Sequence, residues 1–352
     1  MTPLITVIIP HHNRFNLLKQ TLKSVLFQTF TDWEAIIIDD YSDQECLINI
    51  KQYISHDSRF VLITKTKEGK GAPVSRNMGS DHAKGQYVLF LDSDDILAPF
   101  ALEQRLKVFT STESSLDAVI APTIRFKDLP GDLSEVWGTL NASENVMARF
   151  TKCDTPWHTM SALWNKKFIS KIGGWDETLA SYQDWEFHIR ALLIGLRYHE
   201  ISEYDNFYRE DSDEQSIARR HFNDNITQGR FKAFSLVIKQ IKPTNNNIWI
   251  KNLRSLVIRN LVLLIDNGKV AIVSKLLQDH KTYNLSVLDK KILGLIKKDP
   301  DSWRYRRLTQ VFITLFWKHL DYNPWEVSKR QKIDIEENEK AFQYNYKQLL
   351  LN

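Results

Sequence analysis

The sequence predicts an α/β fold, a mostly parallel central sheet flanked by helices, with a C-terminal α-helical appendage. Three observations predict it. Apolar runs of strand length at residues 5–9, 34–38, 60–64 and 87–91 alternate with helix-spaced segments, the pattern of parallel strands joined by right-handed crossovers. Acidic clusters directly follow two of those runs, Asp39-Asp40 and Asp92-Ser93-Asp94-Asp95, where a parallel sheet opens a ligand crevice. From Phe231 onward strand signals cease and helix-length patterns remain, so the chain is expected to divide into residues 1–230 and a basic helical part, 231–352.

Ile5-Thr6-Val7-Ile8-Ile9 reads as a buried strand ended by Pro10, and Leu18, Leu22, Val25 and Leu26 recur at helical spacing across 16–28. Glu34-Ala35-Ile36-Ile37-Ile38 is the next strand, broken by the turn-forming residues 39–43. A helix over 46–55, a strand over 60–64, a loop over 65–73, a helix over 74–83 and a strand over 87–91 repeat the unit. A helix over 99–110 and a strand over 118–122 follow, then a loop-rich stretch over 127–141 and a segment dense in tryptophan (Trp157, Trp164, Trp175, Trp185). Gly173-Gly174 turns the chain towards a third acidic station, Gln183-Asp184-Trp185-Glu186, which opens a helix over 184–195. The appendage carries helical patterns at 248–266, 269–280, 286–298, 302–320 and 325–350.

With 43% hydrophobic and 26% charged residues over 352 positions, the composition is that of a globular protein with a full-sized core. Two cysteines, Cys46 and Cys153, exclude a disulfide framework and point to a reducing cytoplasm. Neither a leader pattern nor a spanning apolar stretch is present, so no threading through a membrane is expected. The net charge of +4 hides an asymmetry: residues 1–230 carry 25 Lys and Arg against 32 Asp and Glu, and residues 231–352 carry 22 against 11. The two halves therefore suit different partners. The basic residues are spread over several helices without a recognition motif, which argues against nucleic acid.

Each station has a plain reading beside a chemical one. Asp39-Asp40 reads either as an Asx-turn ending a strand or as a carboxylate pair for a nucleotide's base or ribose. Asp92, Asp94 and Asp95 read either as a helix-capping acidic turn or as a hard-cation site, since three carboxylates within four residues repel unless a divalent ion joins them. Asp184 reads as a helix N-cap or a base, with Glu177 and Glu186 as rival bases. Between the first two stations, residues 65–77 form a loop entering a helix, with Lys65, Lys67, Lys70 and Arg76 suited to a polyanionic ligand.

Taken in order, these segments resemble family 2 glycosyltransferases with the GT-A fold. The matching residues are Val7-Ile8-Ile9-Pro10 followed by Asn13-Arg14, the helix end at 24–30, Ile38-Asp39-Asp40-Tyr41-Ser42-Asp43, Ser75-Arg76-Asn77, the run from Gly85 to the DXD-type Asp92-Ser93-Asp94-Asp95, and Gly173-Gly174-Trp175-Asp176-Glu177 through Asp184-Trp185-Glu186. The resemblance spans residues 1 to about 218. It implies an inverting transfer from a nucleotide-diphosphate sugar, usually a UDP-sugar, to an acceptor hydroxyl, with Mn²⁺ or Mg²⁺ as cofactor. Carried over by position, Pro10 and Asp40 contact the nucleoside and Asp92 meets the ribose or the metal, while Lys70 and Arg76 of the basic loop are expected at the nucleotide site. Asp94, with Asp95, holds the metal, and Asp184 is the general base. Trp175 and Trp185 are expected to line the acceptor pocket by stacking on sugar, with core packing as their rival role.

Two features depart from the family pattern. Tyr41 stands where glycine is common, and the segment from Tyr208 to Ile217 lacks a histidine near Glu210, leaving Glu210 or His221 to substitute. The rival functions are a metal-dependent nucleotidyltransferase and a non-catalytic sugar-nucleotide-binding scaffold. In the appendage, Trp303-Arg304-Tyr305-Arg306-Arg307 precedes an apolar run at 311–317; this reads as peripheral contact with an anionic membrane bearing a saccharide or lipid-linked acceptor, or as a packing or homo-oligomer surface.

Overall fold

The computed structural model describes residues 2–66, 69–111, 115–138, 140, 143–210, 223–298 and 344–351. Strand β1 (Ile5–His11) lies between β2 (Trp33–Asp39) and β4 (Tyr87–Phe90), and β3 (Phe60–Thr64) flanks β2, all four parallel. The crossovers are α1 (Phe15–Leu26), α2 (Gln44–Ile54) and α3 (Ala72–His82). Continuous apolar runs are what such strands require, because helices cover both faces. Pro10 does not end β1: it stands inside the strand opposite Ile38, and pairing continues to His11 opposite Asp39.

The chain then makes β5 (Ile96–Leu97), α4 (Ala101–Ser111), β6 (Ala118–Ile120), β7 (Thr123–Phe126), β8 (Glu135–Val136) and α5 (Val146–Thr151). It continues with β9 (Ala162–Asn165), α6 (Lys166–Lys171), α7 (Gln183–Leu193), β10 (Tyr198–Glu200) and β11 (Asn206–Arg209). The main sheet has the order β10-β6-β9-β4-β1-β2-β3, with β9 antiparallel to both neighbours, and a second sheet has the order β5-β11-β7-β8. All four strands of that second sheet, β5, β7, β8 and β11, and the short strands β9 and β10 lie outside the runs that the sequence marks.

The helical part comprises α8 (Asp224–Ile241), α9 (Asn247–Asp266), α10 (Val270–Gln278), α11 (Val287–Lys298) and a short α12 (Tyr346–Leu351). Helix α8 runs through Arg230, the position at which the sequence divides the chain. Its Phe231, Phe234 and Val237 and α9's Leu253 and Leu261 share one apolar cluster with Phe90, Trp164 and Trp185 of the α/β part. The expected helix over 302–320, most of that over 325–350, and His221 lie outside the described residues. Among the described residues, no helix is long and apolar enough to cross a membrane. Cys46 and Cys153 are buried and unbridged.

Candidate active site

The first station closes the strand end of β2. Asp39 is fully buried: one carboxylate oxygen accepts the Ser42 N–H at 3.2 Å, and the other has no partner. Asp40 faces the basic loop, with Oδ1 accepting from Lys65 Nζ at 2.9 Å and Oδ2 from the Gly71 N–H at 2.7 Å. Lys65 is buried, so this pair folds the loop back over the turn. Tyr41 adopts φ 64, the left-handed region that glycine enters without strain, and Lys70 Nζ stands 5.6 Å from its ring. Pro10 is half-buried, paired opposite Ile38 just before this turn.

The second station follows β4. Asp92 Oδ1 accepts from Arg76 Nη2 at 2.7 Å. Arg76, on α3, is buried with its guanidinium 4.3 Å from the Trp175 ring, and its Nε and Nη1 have no hydrogen-bond partner. Asp94, expected foremost as the metal ligand, pairs with Arg14 at 3.1 Å. Asp95 is buried; its Oδ1 accepts the Arg209 N–H at 2.9 Å, and its Oδ2 stands 3.9 Å from His158 Nδ1. Arg209 locks the turn further, donating to the Asp94 carbonyl, the Lys127 and Asp128 carbonyls and Gln20.

Asp92, Asp95 and His158 each offer one ligand atom, all within 4.8 Å of one another. Burial first, then the charges of Asp94 and Asp92, push the Asp95 carboxyl well above the usual carboxylate range. Burial is the largest influence on Asp92 and works to raise it, but the Arg76 guanidinium, by charge and hydrogen bond, and His158 together outweigh it and leave that carboxyl low. Burial holds the His158 imidazole below its ordinary value against the pull of Asp92 and Asp184. Two carboxylate oxygens and an imidazole nitrogen, with Asp95 Oδ2 and His158 Nδ1 buried and unpartnered, are a donor set that fits a divalent cation. His158 carries no motif in the sequence; its place in the tryptophan-dense stretch is the sole signal.

The third station opens α7. Tyr182 holds the N-cap position in a left-handed conformation without a side-chain cap, so Asp184, half-buried in the first turn, is not the capping residue. Its charge acts on the buried His158, which adjoins Asp95 of the second station. The rival bases are engaged: Glu186 is buried on Arg190 at 2.8 Å, and Glu177 accepts from Asn77 at 2.9 Å.

The two tryptophans expected at an acceptor pocket are core rings instead. Trp175 stacks on Phe187 with centroids 4.2 Å apart, meets Phe90 edge-on and lies under Arg76. Trp185 donates its indole N–H to the Phe150 carbonyl at 2.6 Å and packs between Tyr182 and Phe234. Both are at most 3% exposed, so neither ring has a face left for a sugar. Glu210, weighed as a substitute for the family's histidine, is ion-paired with Arg125.

Residues 6–170 match glycosyl transferase family 2. The chain is 39% identical over 105 residues to the putative teichuronic acid biosynthesis glycosyltransferase TuaG of Bacillus subtilis, covering 30% of this chain and 41% of that protein. It is 32% identical over 112 residues to an Escherichia coli protein, the UDP-Glc:alpha-D-GlcNAc-diphosphoundecaprenol beta-1,3-glucosyltransferase WfgD, covering 32% of this chain and 43% of that protein. The chain thus spans less than half the length of these two relatives, whereas it covers 87% of an uncharacterized glycosyltransferase of Methanocaldococcus jannaschii at 28% identity, over 67% of this chain. Among solved structures, Staphylococcus aureus TarS 1–349 in complex with UDP-GlcNAc is similar at TM-score 0.59 and 16% identity, covering 88% of this chain and 92% of that one. Pyrobaculum calidifontis mannosyltransferase PcManGT in complex with GDP-Man and Mn²⁺ is similar at TM-score 0.54 and 17% identity, covering 90% and 88%. These two likenesses concern the fold. With the strand-end aspartates and the family match together, residues 6–170 of this chain belong to glycosyl transferase family 2, on a GT-A fold.

Proposed function

We propose that this protein is an inverting glycosyltransferase that moves a sugar from a nucleotide-diphosphate donor, a UDP-sugar by preference, to an acceptor hydroxyl in polysaccharide or glycoconjugate assembly. The observation that carries the reading is the placement of Asp184 on the first turn of α7, within electrostatic reach of the His158 that neighbours Asp95 and Asp92. A carboxylate base and a metal-type donor set are the two parts that a direct displacement needs. TarS with UDP-GlcNAc, PcManGT with GDP-Man and Mn²⁺, and WfgD by its name support a nucleotide-sugar donor.

In this reading Pro10 and Asp40 receive the nucleoside, and Lys70 and Arg76 face the diphosphate. Arg76 has two N–H-bearing nitrogens without a partner for that role. Asp92, Asp94 and Asp95 are the carboxylates for a divalent ion, Mn²⁺ or Mg²⁺, which when bound neutralises charge on the leaving diphosphate. Asp184 accepts the acceptor's hydroxyl proton as that oxygen bonds to the anomeric carbon. The bond from that carbon to the diphosphate oxygen breaks on the opposite face, its electron pair leaves with the nucleotide, and the configuration inverts. A placed carboxylate base contributes about 10²–10⁴-fold. We place the protein in the cytoplasm, with residues 1–230 catalytic and the basic helices of 231–352 towards an anionic membrane surface or a second copy.

A panel of nucleotide sugars with Mn²⁺, scored by thermal shift and then by product analysis, tests the reading. Release of UDP with transfer to a saccharide acceptor is expected. Release of pyrophosphate indicates nucleotidyl transfer, and tight binding without turnover indicates a scaffold; either outcome overturns the proposal.

A further inference from the structure

A histidine is built into the acid station. His158 is 7% exposed, and its Nδ1 is buried without a hydrogen-bond partner, 3.9 Å from an Asp95 Oδ2 in the same condition. The ring is wedged between Trp137 and Tyr208, with centroids 5.0 and 4.8 Å away, so packing fixes its orientation, and the backbone N–H of His158 donates to Ser161 Oγ at 2.8 Å. Two buried polar atoms left facing each other without partners are unfavourable, and a cation between them satisfies both.

Ligands about 2.0–2.2 Å from one small divalent ion stand roughly 3–4 Å apart. The Asp95–His158 separation already lies in that range, and the trio with Asp92 spans at most 4.8 Å. Asp94 is directed to Arg14 rather than into this trio. We propose that His158 Nδ1 is a metal ligand beside Asp92 and Asp95, and that this nitrogen makes the site select Mn²⁺ and related transition ions over Mg²⁺. Magnesium favours oxygen ligands and retains its waters, whereas imidazole suits transition ions, whose affinities rise from Mn²⁺ to Co²⁺. The inference rests on the transferase reading for the metal's purpose, but its test does not.

The full-length protein is titrated with Mn²⁺, Co²⁺ and Mg²⁺, each alone and with UDP, and the Mn²⁺ samples are examined by pulsed electron paramagnetic resonance for ¹⁴N modulation. Expected are ¹⁴N coupling in the native protein, its loss in His158→Gln, and binding of Mn²⁺ roughly tenfold or more tighter than Mg²⁺. If His158→Gln does not fold, the native ¹⁴N signal and the Mn²⁺/Mg²⁺ ratio decide. No bound Mn²⁺ at millimolar metal in either condition, bound Mn²⁺ without ¹⁴N coupling, equal affinity for Mg²⁺, or coupling that persists in folded His158→Gln overturns the inference. Sugar transfer without ¹⁴N coupling sinks only this inference; ¹⁴N coupling without transfer from any donor sinks only the transferase reading.

Discussion

Replacing Asp205 by alanine strips the partner from a guanidinium that has no exposed surface. Arg105, on α4, and Asp205, just before β11, are both 0% exposed. Asp205 accepts from Arg105 Nε at 2.8 Å and from Arg105 Nη2, and also from Gln104 Nε2 at 2.6 Å and Asn206 Nδ2 at 2.9 Å. Without it, Arg105 keeps only the Met160 carbonyl at 2.7 Å. An uncompensated buried charge costs about 3–5 kcal/mol, which for a cooperative unit of roughly 200 residues lowers Tm by about 6–20 °C. The double replacement Arg105→Met with Asp205→Leu removes both charges and is expected to lie closer to wild type than Asp205→Ala does. Urea titration followed by tryptophan fluorescence measures both. A loss under about 1 kcal/mol for Asp205→Ala, or a double variant no more stable than the single, refutes the reasoning. The same pair braces Met160, two residues after His158, and the start of β11, which carries Arg209 to Asp95. Mn²⁺ affinity should therefore fall in Asp205→Ala even at temperatures where the protein stays folded.

Asp184→Asn keeps the shape of α7 and removes the base; transfer should fall by about 10²–10⁴-fold while UDP affinity by calorimetry stays within about threefold. Near-normal kcat would rule Asp184 out as the base. Trp185→Phe deletes the donor to the Phe150 carbonyl and part of a buried ring, so stability should drop by about 1–3 kcal/mol with the acceptor KM unchanged; a selective rise in that KM would return Trp185 to the acceptor pocket. Burial, then the charges of His12 and Arg14, lower His11 from 6.5 to about 4 in the fold. The folded imidazole stays neutral where the unfolded chain takes up a proton, so the stabilisation is complete above pH 6.5 and is lost as pH falls towards 4, up to about 3 kcal/mol. The stability gap between the wild type and His11→Gln should shift by that amount between pH 7.5 and 4; a constant gap would contradict the burial argument.

The four parallel strands β1 to β4 are legible in the sequence because burial on both faces demands continuous apolar runs, and their carboxyl ends locate Asp40 and Asp92 without further information. Strands β9 (Ala-Leu-Trp-Asn) and β11 (Asn-Phe-Tyr-Arg) are not, because four residues are too few to carry a period. They become strands only by pairing with distant partners. Trp175 and Trp185 illustrate the same limit: an aromatic beside a functional carboxylate has one appearance in the chain, and packing against Phe187 or Phe234 decides whether it is core or pocket.

The sequence by itself determined the order of the three acidic stations and the end of the sheet at which the first two emerge, since right-handed crossovers between parallel strands leave few alternatives. The tertiary structure alone decided what each carboxylate faces. Asp40 meets Lys65, Asp92 meets Arg76, and Asp94 meets Arg14, while Asp95 meets Arg209, 114 positions away, and His158. A carboxylate's chemistry is set by the charges and solvent within a few ångströms of it, and those neighbours come from other elements, through packing that no local pattern records.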